Sequence, residues 1–169
     1  MKKRRFVRFD MKSTTIALVI AISLSAAPAS VLAAGDGTVS TKTISSSGTE
    51  FESKVVTLIN IEREKEGLDA LEWDAGVAKV ARAHSKDMES RNYFSHTNQN
   101  GQSPSARMRA SNISFRYSGE NLARGHKTPE AVVTAWMGST GHRNAILSEM
   151  ATHIGVGFQN YYWTMDTIG

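Results

Sequence analysis

The apolar residues of the chain recur at helical spacing in three stretches. Residues 51–66 form the first predicted helix, in which Val55 and Ile59 face inward while charged side chains cover the other side. Residues 77–88 repeat this spacing along one face of the second predicted helix. Residues 131–137 are almost wholly apolar, so the third helix is expected to be largely buried.

Capping and turn residues mark where these helices begin. Asp74 is a predicted N-cap for the second helix. The Ser-Pro pair that opens residues 103–110 predicts a short additional helix, and the Thr-Pro pair at 128–129 gives the same signal for the third long helix. Residues 143–147 are expected to add one helical turn. The rest of residues 92–119 is predicted to be irregular.

The C-terminal part of the chain has the composition of β-strands. Residues 153–158 and 161–165 are rich in aromatic and β-branched side chains, and a hairpin turn is expected at 159–160. Residues 71–73 are also expected to be extended. Because the helices come first and the paired strands last, the order predicts an α+β fold with an antiparallel sheet.

The N-terminal 50 residues are predicted to lie outside the folded domain. Residues 1–33 have the basic start, the apolar stretch and the small cleavage-site residues of an export signal. The apolar stretch, roughly 14–24, is shorter than the about 20 residues that a membrane span needs. Residues 34–50, rich in Gly, Ser and Thr, are expected to form a flexible linker. A single folded domain then covers residues 51–169.

Charge and cysteine content narrow the classes of function. The export signal contains six basic residues and one acid, so the formal net charge of the remainder is −1, whereas the whole chain carries +4. Arg107, Arg109 and Arg116 form only a local basic patch, interpreted as a solvated surface. Without a basic stripe, nucleic acid is not an expected partner. The chain has no cysteine, so the exported domain must rely on its core.

Two histidines and a glutamate stand in three short motifs far apart in the chain: Tyr93-Phe94-Ser95-His96, Gly119-Glu120-Asn121-Leu122-Ala123 and Gly141-His142-Arg143. Two imidazoles and a carboxylate form a ligand set that suits a divalent metal with one open position. The same groups suit a metal-free cleft in which the carboxylate orients the imidazoles. The residue types alone leave both alternatives open.

These motifs resemble those of the CAP superfamily (cysteine-rich secretory proteins, antigen 5 and pathogenesis-related proteins), and in particular its bacterial SCP-like branch. The resemblance extends over residues 55–169 and includes three further pieces: residues 81–88, Trp136-Met137 and residues 153–157. It implies a three-layer α-β-α sandwich with a central antiparallel sheet. It also implies a large cleft lined by two histidines and two acids.

By motif position, the resemblance assigns His96, Glu120 and His142 to the cleft. Ser139 stands where animal and plant members have the second acid, so the tetrad is reduced to a triad with a hydroxyl neighbour. Glu120 is expected in a sharply turning loop. His84 lies on the apolar side of its helix and is interpreted as a core residue, with a place beside the cleft as the alternative. A Ser-His hydrolase is disfavoured because no Gly-x-Ser-x-Gly motif is present.

The leading functional hypothesis is a secreted, non-enzymatic ligand-binding or scaffolding module of the bacterial cell envelope. Its partner would be an extracellular wall fragment, lipid or peptide, and no stable membrane span is expected after the signal is cleaved. The alternative is a zinc-dependent hydrolase acting on peptides or peptidoglycan. In that case His96 and His142 would bind Zn²⁺, and Glu120 would be the third ligand or the catalytic base. A third hypothesis is a vestigial cleft on a protein that binds its partner elsewhere on its surface.

Overall fold

The structure, a computed structural model, describes the backbone of residues 42–169 and the side chains from residue 48 onward. The predicted export signal, 1–33, and residues 34–41 of the predicted linker lie outside the described residues. Within 42–169, no helix combines the length and the apolar character needed to cross a lipid bilayer.

The described residues form five helices and one four-stranded sheet. The helices are α1 (Lys42–Lys65), α2 (Ala75–Ser90), α3 (Pro104–Ala110), α4 (Pro129–Met137) and α5 (Thr140–Ile146). The strands are β1 (Glu72–Trp73), β2 (Ser118–Arg124), β3 (His153–Gln159) and β4 (Tyr162–Ile168). Their order in the sheet is β1-β3-β4-β2, so β2 is an outer strand. The three long strands are antiparallel, and the short β1 pairs parallel with β3, which makes the sheet mixed.

The three helix starts predicted from capping residues, those of α2, α3 and α4, are confirmed by their capping bonds. The Asp74 carboxylate accepts a hydrogen bond from the backbone N–H of Val77 at 2.8 Å. Ser103 and Thr128 cap α3 and α4 in the same way. Each cap satisfies a backbone donor that would otherwise lack a partner in the first helical turn.

Several segments differ from the sequence-based expectation. Helix α5 begins at Thr140, three residues before the predicted turn at 143–147. Helix α1 begins at Lys42, so residues 42–50 of the expected linker are helical. Once a helix has nucleated, each added residue gains a backbone bond at little extra cost, and serine and threonine lower this gain without abolishing it. The irregular region expected up to residue 119 ends earlier, because strand β2 starts at Ser118 and pairs with β4 along its whole length.

The C-terminal hairpin is confirmed, with its turn one residue later than expected. The turn residues are Asn160 and Tyr161, both with positive φ, at +44° and +66°. Positive φ at two central residues is typical of the tight turns whose twist matches the flanking strands. Strand β4 also continues beyond the predicted residue 165 to Ile168.

Helices cover both faces of the sheet, which confirms the α+β sandwich. On one face, Ile154 and Val156 of β3 join Trp163 and Met165 of β4 in a core shared with helices α1, α4 and α5. On the other face, α2 lies directly on the backbone of β3. A Cβ atom at Gly155 would stand only 2.1 Å from the backbone nitrogen of Ala78. The close approach of α2 therefore depends on glycine in β3.

We expect Gly155→Ala to lower the free energy of unfolding by about 2–3 kcal/mol, because neither the α2 backbone nor the strand can make room for the added methyl group. Gly141→Ala is the matched control, since nothing lies within 4 Å of its added Cβ and the residue is helical. The control should be neutral or stabilising by up to about 1 kcal/mol. Guanidinium unfolding measures both. Equal midpoints for Gly155→Ala and the parent would contradict this account of α2 packing.

Candidate functional site

The candidate site is built around Glu120, which lies on strand β2. Glu120 is the direct cross-strand partner of Asp166, and Asp166 is the partner of Gly155. Since side chains directly opposite each other in a sheet point to the same face, Glu120 points to the face that α2 covers. Its side chain is only 2% exposed. The expected loop position of Glu120 is therefore wrong, and the carboxylate is held by a regular strand.

Both oxygens of the Glu120 carboxylate accept hydrogen bonds. Oε1 accepts one from Nδ1 of His96 at 2.6 Å, and Oε2 accepts one from Nη2 of Arg107. Arg107 also donates from Nη1 to the carbonyl oxygens of His96, at 2.7 Å, and Gln102. The imidazole of His96 remains 56% exposed. The solvent-exposed imidazole of His96 is thus bonded to the buried Glu120–Arg107 ion pair.

The tautomer of His96 follows from this arrangement. A carboxylate can only accept, so Nδ1 of His96 carries the hydrogen of the bond to Glu120. Nε2 is then the ring nitrogen left for a ligand. The hydrogen bond to Glu120 raises the pKa of His96 above its ordinary value, and the charge of Glu120 adds to this, while burial and Arg107 act in the opposite direction.

His142 lies in helix α5, on the other side of the sheet from α2. Its backbone carbonyl accepts a hydrogen bond from the side chain of Asn121 at 2.9 Å. Asn121 follows Glu120 in β2 and therefore points to the opposite face. Burial lowers the pKa of His142, and the charge of His96 lowers it further. The outer strand β2 separates the two layers that carry them.

His84 of α2 is 1% exposed and holds the loop before His96. Its Nε2 lies 3.0 Å from the carbonyl oxygen of Ser95, to which it donates. Burial lowers the pKa of His84, and Arg107 lowers it further, so the ring is neutral. His84 and Arg107 also line a cavity of about 350 Å³ between α2 and α3. His84 thus helps to fix the position of His96 by bonding to the backbone of the preceding residue.

Ser139 lies at the N-cap position of α5, and its side chain makes no capping bond there. Its backbone carbonyl accepts a hydrogen bond from the backbone N–H of Arg143 at 2.8 Å. No hydrogen bond joins its hydroxyl to His96 or His142 within residues 48–169. Its place in the structure is that of the residue before α5.

The side chains do not fit the zinc site considered from the sequence. In the part of the chain that the structure describes, no group of three or more His, Cys, Asp or Glu side chains could hold a metal ion. Both Glu120 oxygens and Nδ1 of His96 are already used in hydrogen bonds. This leaves Nε2 of His96 and the His142 ring, fewer than the three protein ligands usual in catalytic zinc sites.

Two important residues were not predicted from the sequence. Arg107, interpreted as part of a solvated patch, is only 8% exposed and pairs with Glu120. Asp166 is fully buried in β4, directly opposite Glu120. Asp166 directly follows the predicted strand 161–165, and Ile168 after it is apolar, so a longer strand with a charged residue at an inward position was a usable signal, because carboxylates are rarely buried without a specific reason. The position of Arg107 has no comparable local signal.

Residues 56–166 match the profile of the cysteine-rich secretory protein family, CAP, and the chain belongs to this family. Two curated relatives come from Bacillus subtilis. The uncharacterised protein YkwD is 44% identical over 171 positions, which cover 100% of this chain and 65% of that protein. The uncharacterised membrane protein YlbC is 40% identical over 120 positions, covering 71% of this chain and 35% of that protein. The chain thus spans less than two thirds of the length of either relative.

Solved structures show the same fold. An extracellular protein with an SCP domain from Bacillus anthracis superposes with a TM-score of 0.74 and 32% identity, covering 79% of this chain and 45% of that one. An outer surface protein of Borrelia burgdorferi gives a TM-score of 0.62 and 25% identity, covering 68% of this chain and 88% of that one. A cysteine-rich secretory protein of Staphylococcus aureus, at 15% identity and a TM-score of 0.64, covers 72% and 38% and supports the fold alone.

We expect Glu120→Gln to lower the pKa of His96, because the variant removes the negative charge that favours the imidazolium. In the parent, the raised pKa of His96 stabilises the folded state at low pH. This contribution is lost as the pH rises through that pKa, and the variant should lack it. The free energy of unfolding of the variant should also be about 3 kcal/mol lower, because buried Arg107 loses its anionic partner.

An NMR titration of the His96 ring measures the first effect, and urea unfolding measures the second. Glu149→Gln is the matched control, since it makes the same chemical change at an exposed position. An unchanged His96 midpoint in Glu120→Gln would contradict the assigned bond.

Proposed function

We propose that this protein is a secreted ligand-binding or scaffolding module of the bacterial cell envelope, with His96 as its principal polar contact and His142 beside it. One observation carries the proposal: an exposed imidazole is fixed to a buried Glu120–Arg107 pair. Its ligand would be an extracellular wall fragment, lipid or peptide. The extracellular and outer-surface proteins among the structural neighbours support this location.

The geometry favours binding because the contact group is preorganised. An exposed side chain normally loses rotamer freedom when it binds a ligand, and this loss reduces affinity. His96 loses less, because Glu120 already fixes its ring on one side and its backbone carbonyl is held by Arg107. Nε2 is left to contact the ligand.

The two imidazoles would offer different chemistry to the same ligand. The pKa of His96 is raised, so this ring gains a proton more readily and then acts as a cationic donor. The pKa of His142 is lowered, so this ring stays neutral and provides one donor and one acceptor. Carboxylate, hydroxyl and amide groups close together on a ligand would match this pair, and wall fragments and peptides carry all three.

An enzymatic function has less support. Nucleophilic catalysis needs a nucleophile within hydrogen-bond reach of its base. In residues 48–169, the only hydrogen-bond partner assigned to the His96 ring is a carboxylate, and no serine hydroxyl is bonded to either imidazole. The zinc-hydrolase alternative would require Glu120 to give up Arg107 or His96 before it could act as ligand or base.

We expect His96→Ala to weaken binding of the purified secreted protein by about 10-fold or more, since a charge-assisted hydrogen bond contributes about 1.5–3 kcal/mol. Cosedimentation with peptidoglycan sacculi, cosedimentation with phosphatidylglycerol vesicles and calorimetry with wall-derived peptides would measure this effect. His126→Ala is the control, because the backbone carbonyl of His126, which the substitution keeps, accepts the hydrogen bond from Trp163. Equal binding by His96→Ala and the parent to whichever probe binds would contradict the proposed site.

A further inference from the structure

We infer that Asp166 is a positioning residue of this site: a neutral carboxylic acid that donates a hydrogen bond to the Glu120 carboxylate and fixes its orientation toward His96 and Arg107. Asp166 would hold this arrangement whether or not a ligand binds His96. Its importance to the cell rests on the proposed binding function.

The register of the sheet places the two carboxyl groups side by side. Asp166 of β4 lies directly opposite Glu120 of β2, where facing side chains have Cβ atoms about 4.5–5.5 Å apart. Its partner on the other side is Gly155, which has no side chain and lies against the backbone of α2. Asp166 is 0% exposed. Among its cross-strand partners, only Glu120 can therefore reach the Asp166 carboxyl group with a polar side chain.

The hydrogen bonds of the site leave one carboxyl group without a donor. In residues 48–169, no N–H or O–H group donates to either oxygen of Asp166. The polar side chain directly opposite it in the sheet is that of Glu120. Two ionised carboxylates are both acceptors and cannot bond to each other, so a hydrogen bond between these two groups requires a proton on one of them.

A second buried acid shows how different the surroundings of Asp166 are. Glu52 is 2% exposed, yet its carboxylate accepts hydrogen bonds from Arg82 and from the backbone N–H of Phe158. These donors replace the hydrogen bonds to water that the Glu52 side chain loses on burial. Asp166 is more deeply buried and has no such donors.

The proton belongs on Asp166, because Glu120 already accepts bonds from His96 and Arg107. Glu120 is thus already an acceptor on both oxygens, whereas neither oxygen of Asp166 receives a donor from residues 48–169. Burial raises the pKa of Asp166 well above its usual range, the charge of Glu120 raises it further, and Arg107 offsets part of this. From α2, His84 is neutral and adds no charge. The buried cluster of Asp166, Glu120 and Arg107 then contains one negative charge and one positive charge.

A neutral donor at this position has a specific consequence for His96. It gives Glu120 a third hydrogen bond without adding a second negative charge. The carboxylate is then fixed from the strand side as well as from the two side chains, and only Glu120 supplies the anionic attraction on the His96 ring. An ionised Asp166 would instead add a negative charge near that ring.

The test is an NMR titration of the His96 ring in the full secreted protein. Asp166→Asn keeps an N–H donor and no charge, so we expect the same His96 midpoint as in the parent. Asp166→Ala removes the donor, which leaves more of the Glu120 negative charge to act on the His96 ring, so we expect a higher midpoint. Asp166→Asn should thus keep the His96 midpoint of the parent, which Asp166→Ala should raise. A lower midpoint in Asp166→Asn would show that Asp166 is ionised and would overturn the assignment.

Two further measurements do not depend on Asp166→Ala folding. The Cγ chemical shift of Asp166 in the parent should be that of a carboxylic acid at pH 7, and a carboxylate value would overturn the inference. The difference in melting temperature, variant minus parent, should also become more positive for Asp166→Asn as the pH rises above about 3.9, the usual pKa of unfolded aspartate. The parent's folded state binds the extra proton there and so loses stability with rising pH.

Asp69→Asn, an exposed site, is the matched control and should show no such trend. A constant difference in melting temperature between Asp166→Asn and the parent would contradict a proton on Asp166. Because none of these measurements uses a ligand, a failure of the binding experiments leaves their outcome unaffected.

Discussion

Burial of the Glu120 carboxylate is the constraint on which the candidate site depends. Removing a carboxylate from water costs several kcal/mol unless donors replace the lost hydration. The donors come from two segments that precede β2 in the chain: the loop that carries His96 and the short helix α3 that carries Arg107. Hydrogen bonds to the Glu120 carboxylate therefore hold both segments against the sheet. The exposed imidazole is a product of this arrangement.

The loop and α3 are fixed at several further points, so the position of His96 does not rest on one bond. Arg107 donates to the carbonyl of His96, and His84 donates to the carbonyl of Ser95. Helix α2, which carries His84, is itself held close to the sheet by the glycines of β3 and by Ser85, whose hydroxyl donates to the carbonyl of Gly157. The order of dependence therefore runs from the glycines, through α2, to the loop and its imidazole.

Local features of the chain were predictable because their causes are local. The Asp74 and Thr128 caps bond to N–H groups three residues away, and the sequence shows both partners. Strand β2 was missed because glycine, glutamate and asparagine are poor strand formers, and its pairing with β4 depends on residues about forty positions later. The burial of Arg107 was missed for a similar reason, since its partner Glu120 lies thirteen residues away. The family resemblance identified His96 and Glu120, which the structure brings into contact, and gave no indication of Asp166.

At the proposed site, buried residues hold the ligand-contacting side chain in place, and exposed residues make the contact with the ligand. Glu120, Arg107 and Asp166 are buried, so a ligand that contacts the His96 ring meets their effects through that ring. The pKa shifts of His96 and His142 are opposite because their surroundings differ. The bond to Glu120 raises the pKa of His96, whereas burial and then the charge of His96 lower the pKa of His142. A change in ligand preference could therefore come from the surface residues around the two rings, while the buried group continues to fix one ring in its place.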